Sequence, residues 1–152
     1  MKLAEALSLR ADLQKRIAQI QRRLQASCKV QEGDAPAENP EELMKELQDN
    51  LDQLEQLMVR INKTNQMTVL DDGKTITEKI AKRDVMTKQV SILQQLLDYL
   101  MTREERYSRN EIKYVFTVSV SSIQKQADDC SKRLRAVDVE IQSVNWTVEL
   151  CE

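Results

Sequence analysis

The sequence predicts an all-α protein built as long antiparallel helical hairpins, or an elongated up-and-down four-helix bundle, with a short extended β-like arm near 112–119. Three observations carry that prediction. Val120, Ile123, Ala127, Cys130, Leu134, Val137, Ile141, Val144 and Val148 step by 3, 4, 3, 4 without a break, the spacing that holds apolar side chains on one side of a helix. Gly 2 and Pro 2 in 152 residues leave few breakers to punctuate the chain. Aromatic residues at 3% give a β-sandwich little of its usual material. With 41% hydrophobic and 32% charged residues, the length suits one domain over 1–152 with a real core.

Helix 1 is expected over about 3–30, where Ala6, Arg10, Leu13, Ile17, Ile20, Leu24 and Ser27 keep the same rhythm, with Arg10 a polar member of the seam. The stretch from Gln31 to Asn39 contains Gly33, Asp34 and Pro36 and reads as a turn. Asn39 followed by Pro40 then supplies a helix cap and a first helical residue whose missing N–H costs nothing. Helix 2, over about 41–66, carries Met44, Leu47, Leu51, Leu54, Met58, Ile61 and Asn65. Asp71-Asp72-Gly73 marks the next turn, and Thr75 to Glu78 has the spacing of a capping box.

Helix 3 is expected over about 75–106. Its stripe begins with Ile76 and Ile80 but continues through Arg83 and Thr87, whereas Val90, Ile92, Leu93, Leu96, Leu97, Tyr99, Leu100 and Met101 face almost every direction. Such a segment lies at the centre of a bundle or beneath a second subunit. It is too short and too polar to span a bilayer. From Tyr107 to Val120 the helical pattern stops, and Tyr114, Phe116, Val118 and Val120 alternate like a lone strand or extended loop whose free edge suits pairing with another subunit. Ser119 or Ser121 caps helix 4, over about 120–148. Narrow seams favour lengthwise pairing of helices, so the expected partner is a second copy of the chain.

The chemistry is sparse. There is no His, which removes the Glu and His pattern of di-metal bundles. Cys28, Cys130 and Cys151 lack the paired spacing of a zinc or redox site. Asp71-Asp72-Gly73 lacks the alternating ligands of a calcium loop. No catalytic residue, metal or cofactor is assigned, and the protein is expected not to be an enzyme. The formal net charge of −2 and the scarcity of aromatic residues argue against nucleic acid. Charged residues from Glu5 onward leave no apolar run for a signal peptide or membrane span at the N-terminus, so the expected location is the cytoplasm. The Asn62-Lys63-Thr64 and Asn145-Trp146-Thr147 triplets fit a glycosylation pattern that matters only in a secreted chain.

Two constellations are candidate sites. If helices 1 and 2 reverse near Asp34 to Ala37, Arg10 falls beside Asn62 and Leu7 beside Asn65. A reversal near Glu111 to Lys113 places Arg83 and Asp84 near Glu140. In a four-helix arrangement Arg10, Asn62, Asn65, Thr75, Arg83, Asp84, Glu140, Asn145 and Trp146 share one pole. That group suits a small anion or polar ligand, or else mutual pairing that fixes helix register and oligomer state. The second group, Tyr107, Arg109, Glu111, Lys113, Tyr114 and Phe116, with Arg103 and Arg106 nearby, suits a solvated loop or salt-bridge contacts between subunits better than phosphate binding, because Glu104, Glu105 and Glu111 dilute its charge.

Several dispersed words, among them Met1 to Leu7, Lys29 to Asp34, Arg60 to Asn65, Asp72-Gly73, Arg83-Asp84, Tyr107-Ser108-Arg109, Glu111-Ile112-Lys113 and Asn145-Trp146-Thr147, resemble a small bacterial helical family labelled septicolysin. The resemblance spans nearly the whole chain. It implies a helical homo-oligomer, a hexamer among the assemblies it suggests, and the label implies a pore-forming cytolysin. Relative to that family's pattern, Ser119 stands where Asp is expected as a helix cap and Ser122 where a capping-box Glu is expected.

Overall fold

In a computed structural model the structure is described for residues 1–102 and 112–152. Among them are the helices α1 (Leu3–Ser27), α2 (Pro40–Met67), α3 (Ile76–Met101) and α4 (Val120–Thr147), and no strand. Two isolated antiparallel bridges, Lys2 with Glu149 and Val69 with Thr75, are the only β-type pairings among the described residues. The chain divides into two compact units, residues 1–77 with 142–152, and residues 78–141.

In the first unit α1 and α2 form an antiparallel hairpin. The caps act as the sequence predicts: the Asn39 side chain accepts a hydrogen bond from Glu41 N at 3.0 Å, and Pro40 occupies the first helical position. Ile20, Leu24 and Leu43 form a buried cluster on which Leu47 packs. Just outside it Arg23 spans to the start of α2, donating Nε–H to Glu38 Oε2 at 3.0 Å and reaching Glu46 at 3.5 Å. α1 buries Ala6, Leu13, Ile20, Leu24 and Ser27 and half-buries Arg10 and Ile17, so its predicted seam is its packing face.

α2 is rotated relative to its prediction. Its buried residues are Leu43, Asn50, Leu57, Ile61 and Thr64, whereas Met44, Leu51 and Met58 stay exposed. Two polar side chains therefore face inward. Asn50 Nδ2 donates to Glu46 O at 2.7 Å, and its Oδ1 is buried with no partner among the described residues. Thr64 Oγ1 donates to Arg60 O at 2.8 Å and accepts from Cys151 N at 2.9 Å. That second bond is the reason a threonine occupies this position, since it satisfies an amide on an irregular terminal segment.

The hairpin register also differs from expectation. α1 ends at Ser27 rather than near Val30, which moves the reversal toward Gly33, where a positive φ of 91° marks the turn. The pairing of Ile20 and Leu24 with Leu43 and Leu47 extrapolates to place Arg10 level with Leu57 instead of Asn62.

The two ends of the chain close the first unit. Leu3 N donates to Val148 O at 3.0 Å and Leu150 N to Met1 O at 2.9 Å. The N-terminal ammonium and Lys2 both pair with Glu149, and Lys2 Nζ also donates to Thr147 O at 3.0 Å, where a cation suits the carbonyl end of α4. Arg60 Nε and Lys63 Nζ donate to the carbonyls of Cys151 and Glu152. Between α2 and α3, Gly73 N donates to Leu70 O at 2.9 Å and Gly73 has a φ of 78°, as the predicted turn requires.

In the second unit α3 and α4 run antiparallel. Leu97, Ile123 and Ala127 form a buried cluster, with Leu93, Leu100 and Val120 against it. At the other end Lys79, only 6% exposed, pairs with Glu140 at 2.9 Å. The α4 seam is buried or half-buried at every predicted position. Ser119 Oγ accepts from Ser122 N at 3.3 Å, so Ser119 is the cap. The segment 112–119 is irregular chain, not a strand; one short run with nothing to pair against cannot satisfy a ladder.

Three expectations follow. In denaturant melts Leu57→Ala lowers stability by about 2–5 kcal/mol, while Met58→Ala costs roughly 0.5 kcal/mol or less; equal losses would contradict the rotated stripe. Thr64→Val lowers stability by about 1 kcal/mol and accelerates hydrogen exchange at the Cys151 amide. The Glu38 carboxyl is held below its ordinary range first by the hydrogen bond from Arg23, against partial desolvation. A depressed folded pKa adds stability above the unfolded value, near 4.3 for Glu, and loses it as pH falls through the folded one. Glu38→Gln therefore has a smaller drop in melting temperature between pH 7 and pH 3 than the unmodified protein.

Candidate functional site

Arg10 is half-buried and its side chain forms no ion pair or hydrogen bond among the described residues. Asn62 is exposed, Asn65 and Asn145 are half-buried, and Trp146 is 65% exposed on the last turn of α4. These five belong to the first unit, whereas Arg83, Asp84 and Glu140 belong to the second. Within that second unit the charges are already matched. Arg83 donates Nε–H and Nη2–H to Asp84 Oδ1 at 3.1 and 3.0 Å, and its other nitrogen lies 3.9 Å from Asp138. Glu140 is taken by Lys79. Arg83 thus faces two carboxylates, which makes its surroundings poor for an added anion and good for fixing the level at which α3 meets α4. The expected neighbour of Arg83 was Glu140; the observed one is Asp138, so α4 meets α3 about two residues away from the expected level, while Glu140 pairs with Lys79 instead.

Of the proposed subunit contacts, Lys113, Tyr114 and Phe116 are exposed, while Tyr107, Arg109 and Glu111 lie outside the described residues. A shallow groove of about 520 Å³ lies along α2 beside the C-terminal residue, lined by Asp52, Glu55, Gln56, Val59, Arg60 and Glu152. Its guanidinium is held by the Cys151 carbonyl at 3.0 Å, so the groove offers a mainly acidic, open wall. Among the described residues no three His, Cys, Asp or Glu side chains converge to hold a metal ion. No described helix is long and apolar enough to cross a membrane.

The most distinctive surface is apolar. α3 turns Ile80, Arg83, Met86, Val90, Leu93, Leu97 and Leu100 toward α4 or leaves them half-buried, but a second row lies on another side of the same helix. That row is Val85, Ile92, Leu96 and Tyr99, exposed by 68, 55, 37 and 72%. With Gln89 it steps 4, 3, 4, 3, the rhythm of a second packing seam. Beyond α3, Ile112, Tyr114, Val115, Phe116 and Val118 are also exposed, and this segment enters α4 at Val120, which packs in the same cluster as Leu100. The all-round apolar character of this part of α3 was visible in the sequence. What the sequence reading missed was Val85, whose seven-residue spacing to Ile92 and Tyr99 is the signal for a separate face. Its central placement inside the bundle, one of the two alternatives, is not what the described residues show, because half of those side chains stay in contact with water. An exposed row of apolar side chains along one face of a helix marks an interaction site.

No curated protein matches the sequence. Among solved structures, the crystal structure of a functionally unknown conserved protein from Corynebacterium diphtheriae is 42% identical, covers 99% of this chain and 99% of its own, and superposes with a TM-score of 0.92. At that identity the likeness extends to the sequence as well as the fold. Residues 10–150 match the profile of a family of unknown function (DUF6847), and the chain belongs to that family.

Proposed function

We propose that this chain is a non-catalytic helical protein that works as a homo-oligomeric scaffold or binding protein in the cytoplasm. The observation that carries this reading is the uncovered seam of α3. A helix whose apolar residues fill two sides needs two partners, and α4 supplies one of them. Burying the second row stabilises an assembly by roughly 25 cal/mol per Å² of apolar surface removed from water, before the cost of association is subtracted. The absence of His from the sequence and the mutual pairing of Arg83, Asp84 and Asp138 favour an architectural role over a chemical one.

A second reading, a membrane-active cytolysin, is suggested by the resemblance to septicolysin and draws on the same exposed side chains, which would meet lipid instead of a subunit. The two readings separate in one pair of measurements. Light scattering coupled to size exclusion is expected to give a discrete multiple of 17.6 kDa at micromolar concentration, and Ile92→Asp is expected to lower that mass while leaving the helical circular dichroism unchanged. A monodisperse monomer would overturn the oligomer. Release of dye from liposomes by the unmodified chain, abolished by Ile92→Asp, would install the membrane reading in its place.

A further inference from the structure

We propose that α2 has two seats against α1, and that residues 148–152 are the latch that holds it in the one described. This inference stands apart from the self-assembly reading. α2 carries two unbroken rows that share Leu47, Leu54 and Ile61. One row adds Leu43, Asn50, Leu57 and Thr64, which are buried. The other adds Met44, Leu51 and Met58, which are exposed by 57, 40 and 41%. At 3.6 residues per turn, successive residues lie about 100° apart, and because three members are common the midlines of the two rows differ by only about 50°. A turn of that size about the helix axis exchanges the rows while Leu47, Leu54 and Ile61 stay against α1.

The buried row is not the more apolar of the two. Asn50 is buried on it, and its Oδ1 has no partner among the described residues, an arrangement that costs free energy. Its Nδ2 donates to Glu46 O of the same helix, so that bond travels with the helix when it turns. Turning brings Oδ1 to water and puts Leu51 where Asn50 was. Leu43 and Leu57 give way to Met44 and Met58, a volume-conserving exchange, and Thr64 gives way to Asn65. Apolar burial therefore favours the turned seat, and a different interaction must hold the helix where it is.

The terminal segment supplies it. Cys151 N donates to Thr64 Oγ1 at 2.9 Å, while Arg60 Nε and Lys63 Nζ each donate to a carbonyl of the same segment at 3.0 Å. The segment is itself fixed elsewhere, because Leu150 N donates to Met1 O and the Leu150 side chain is buried. Long side chains such as Arg60 and Lys63 can follow a turning helix, but Thr64 cannot. A turn of about 50° moves its Cα by about 2 Å on a cylinder of about 2.3 Å radius, which breaks a hydrogen bond of ordinary length. Whatever lifts residues 148–152 off α2 thus frees the helix to turn, and the outer face of the hairpin changes from Met44, Leu51 and Met58 to Leu43, Asn50 and Leu57.

Thiol labelling reads which row faces inward. Two full chains are compared, both with Cys28→Ser and with Cys130 retained because it is buried. The latched chain carries Cys151→Ser, which keeps the backbone N–H; the released chain carries Cys151→Pro, which removes it and leaves α2 unaltered. Each receives a single reporter, Leu57→Cys or Met58→Cys, whose reaction with a water-soluble maleimide is timed while circular dichroism follows the helical content. With the turned seat below about a tenth of the latched population and near a half of the released one, release is expected to speed labelling of Leu57→Cys at least about fivefold and to slow that of Met58→Cys about twofold. Adding Asn50→Leu to the released chain is expected to restore the latched rates, because the buried row then lacks nothing that turning would gain. Leu150→Asp in the latched chain, which expels the segment by another route, is expected to repeat the effect of Cys151→Pro. Faster labelling of Leu57→Cys without slowing of Met58→Cys would show a loosened hairpin and overturn the second seat. Unchanged rates at both positions in Cys151→Pro and Leu150→Asp alike would overturn the latch.

Discussion

Everything in this structure depends on helices burying no more than the stripe that a neighbouring helix covers. An α-helix presents about 3.6 positions per turn, and one antiparallel partner covers the positions that recur at 3 and 4. α1 and α4 each carry one continuous apolar seam, and their remaining sides are polar apart from isolated residues such as Leu9, Val139 and Trp146. α2 and α3 are written with wider apolar content, so the choice of which stripe goes inward is made by something other than hydrophobicity alone.

For α2 that choice is informative. The rows Met44, Leu51, Met58 and Leu43, Asn50, Leu57, Thr64 share Leu47, Leu54 and Ile61 as common neighbours, so both readings keep an unbroken 3, 4 rhythm. Counting apolar residues favours the first. The fold takes the second, because Thr64 is needed where the terminal segment arrives, and a buried hydroxyl that satisfies Cys151 N is worth more there than a methionine. No local feature of α2 announces this. The partner amide is 87 residues away, and periodicity has no access to contacts of that range. The same limit applies to Lys2, Arg60 and Lys63, which read as ordinary surface charges yet hold the carbonyls of Thr147, Cys151 and Glu152.

By contrast, the caps and turns were legible because their signals are local. Asn39-Pro40, Asp71-Asp72-Gly73 and Ser119 each do in space what their chemistry predicts within a few residues. The α4 seam was legible for its length and purity. The polar pole was legible only as a set of residues. Small errors in register put Leu57 in place of Asn62 opposite Arg10, five residues away, and Asp138 in place of Glu140 beside Arg83, two residues away. On a helix two residues are half a turn, enough to give Arg83 a second carboxylate neighbour where Glu140 was expected.

The contact between the chain ends has a kinetic side. The hairpin of α1 and α2 joins residues close in sequence, the kind of contact that forms fast. The hydrogen bond from Lys2 to Thr147 closes a loop of 145 residues, so its entropy must be spent before any of its gain is felt, at a cost that grows with the logarithm of the loop length. For an all-helical protein this is an unusually non-local step. It sets the order of assembly: α1 and α2 can zip together on their own, whereas the terminal segment gains its place only after α3 and α4 have been laid down and α4 has been brought back to the start of α1.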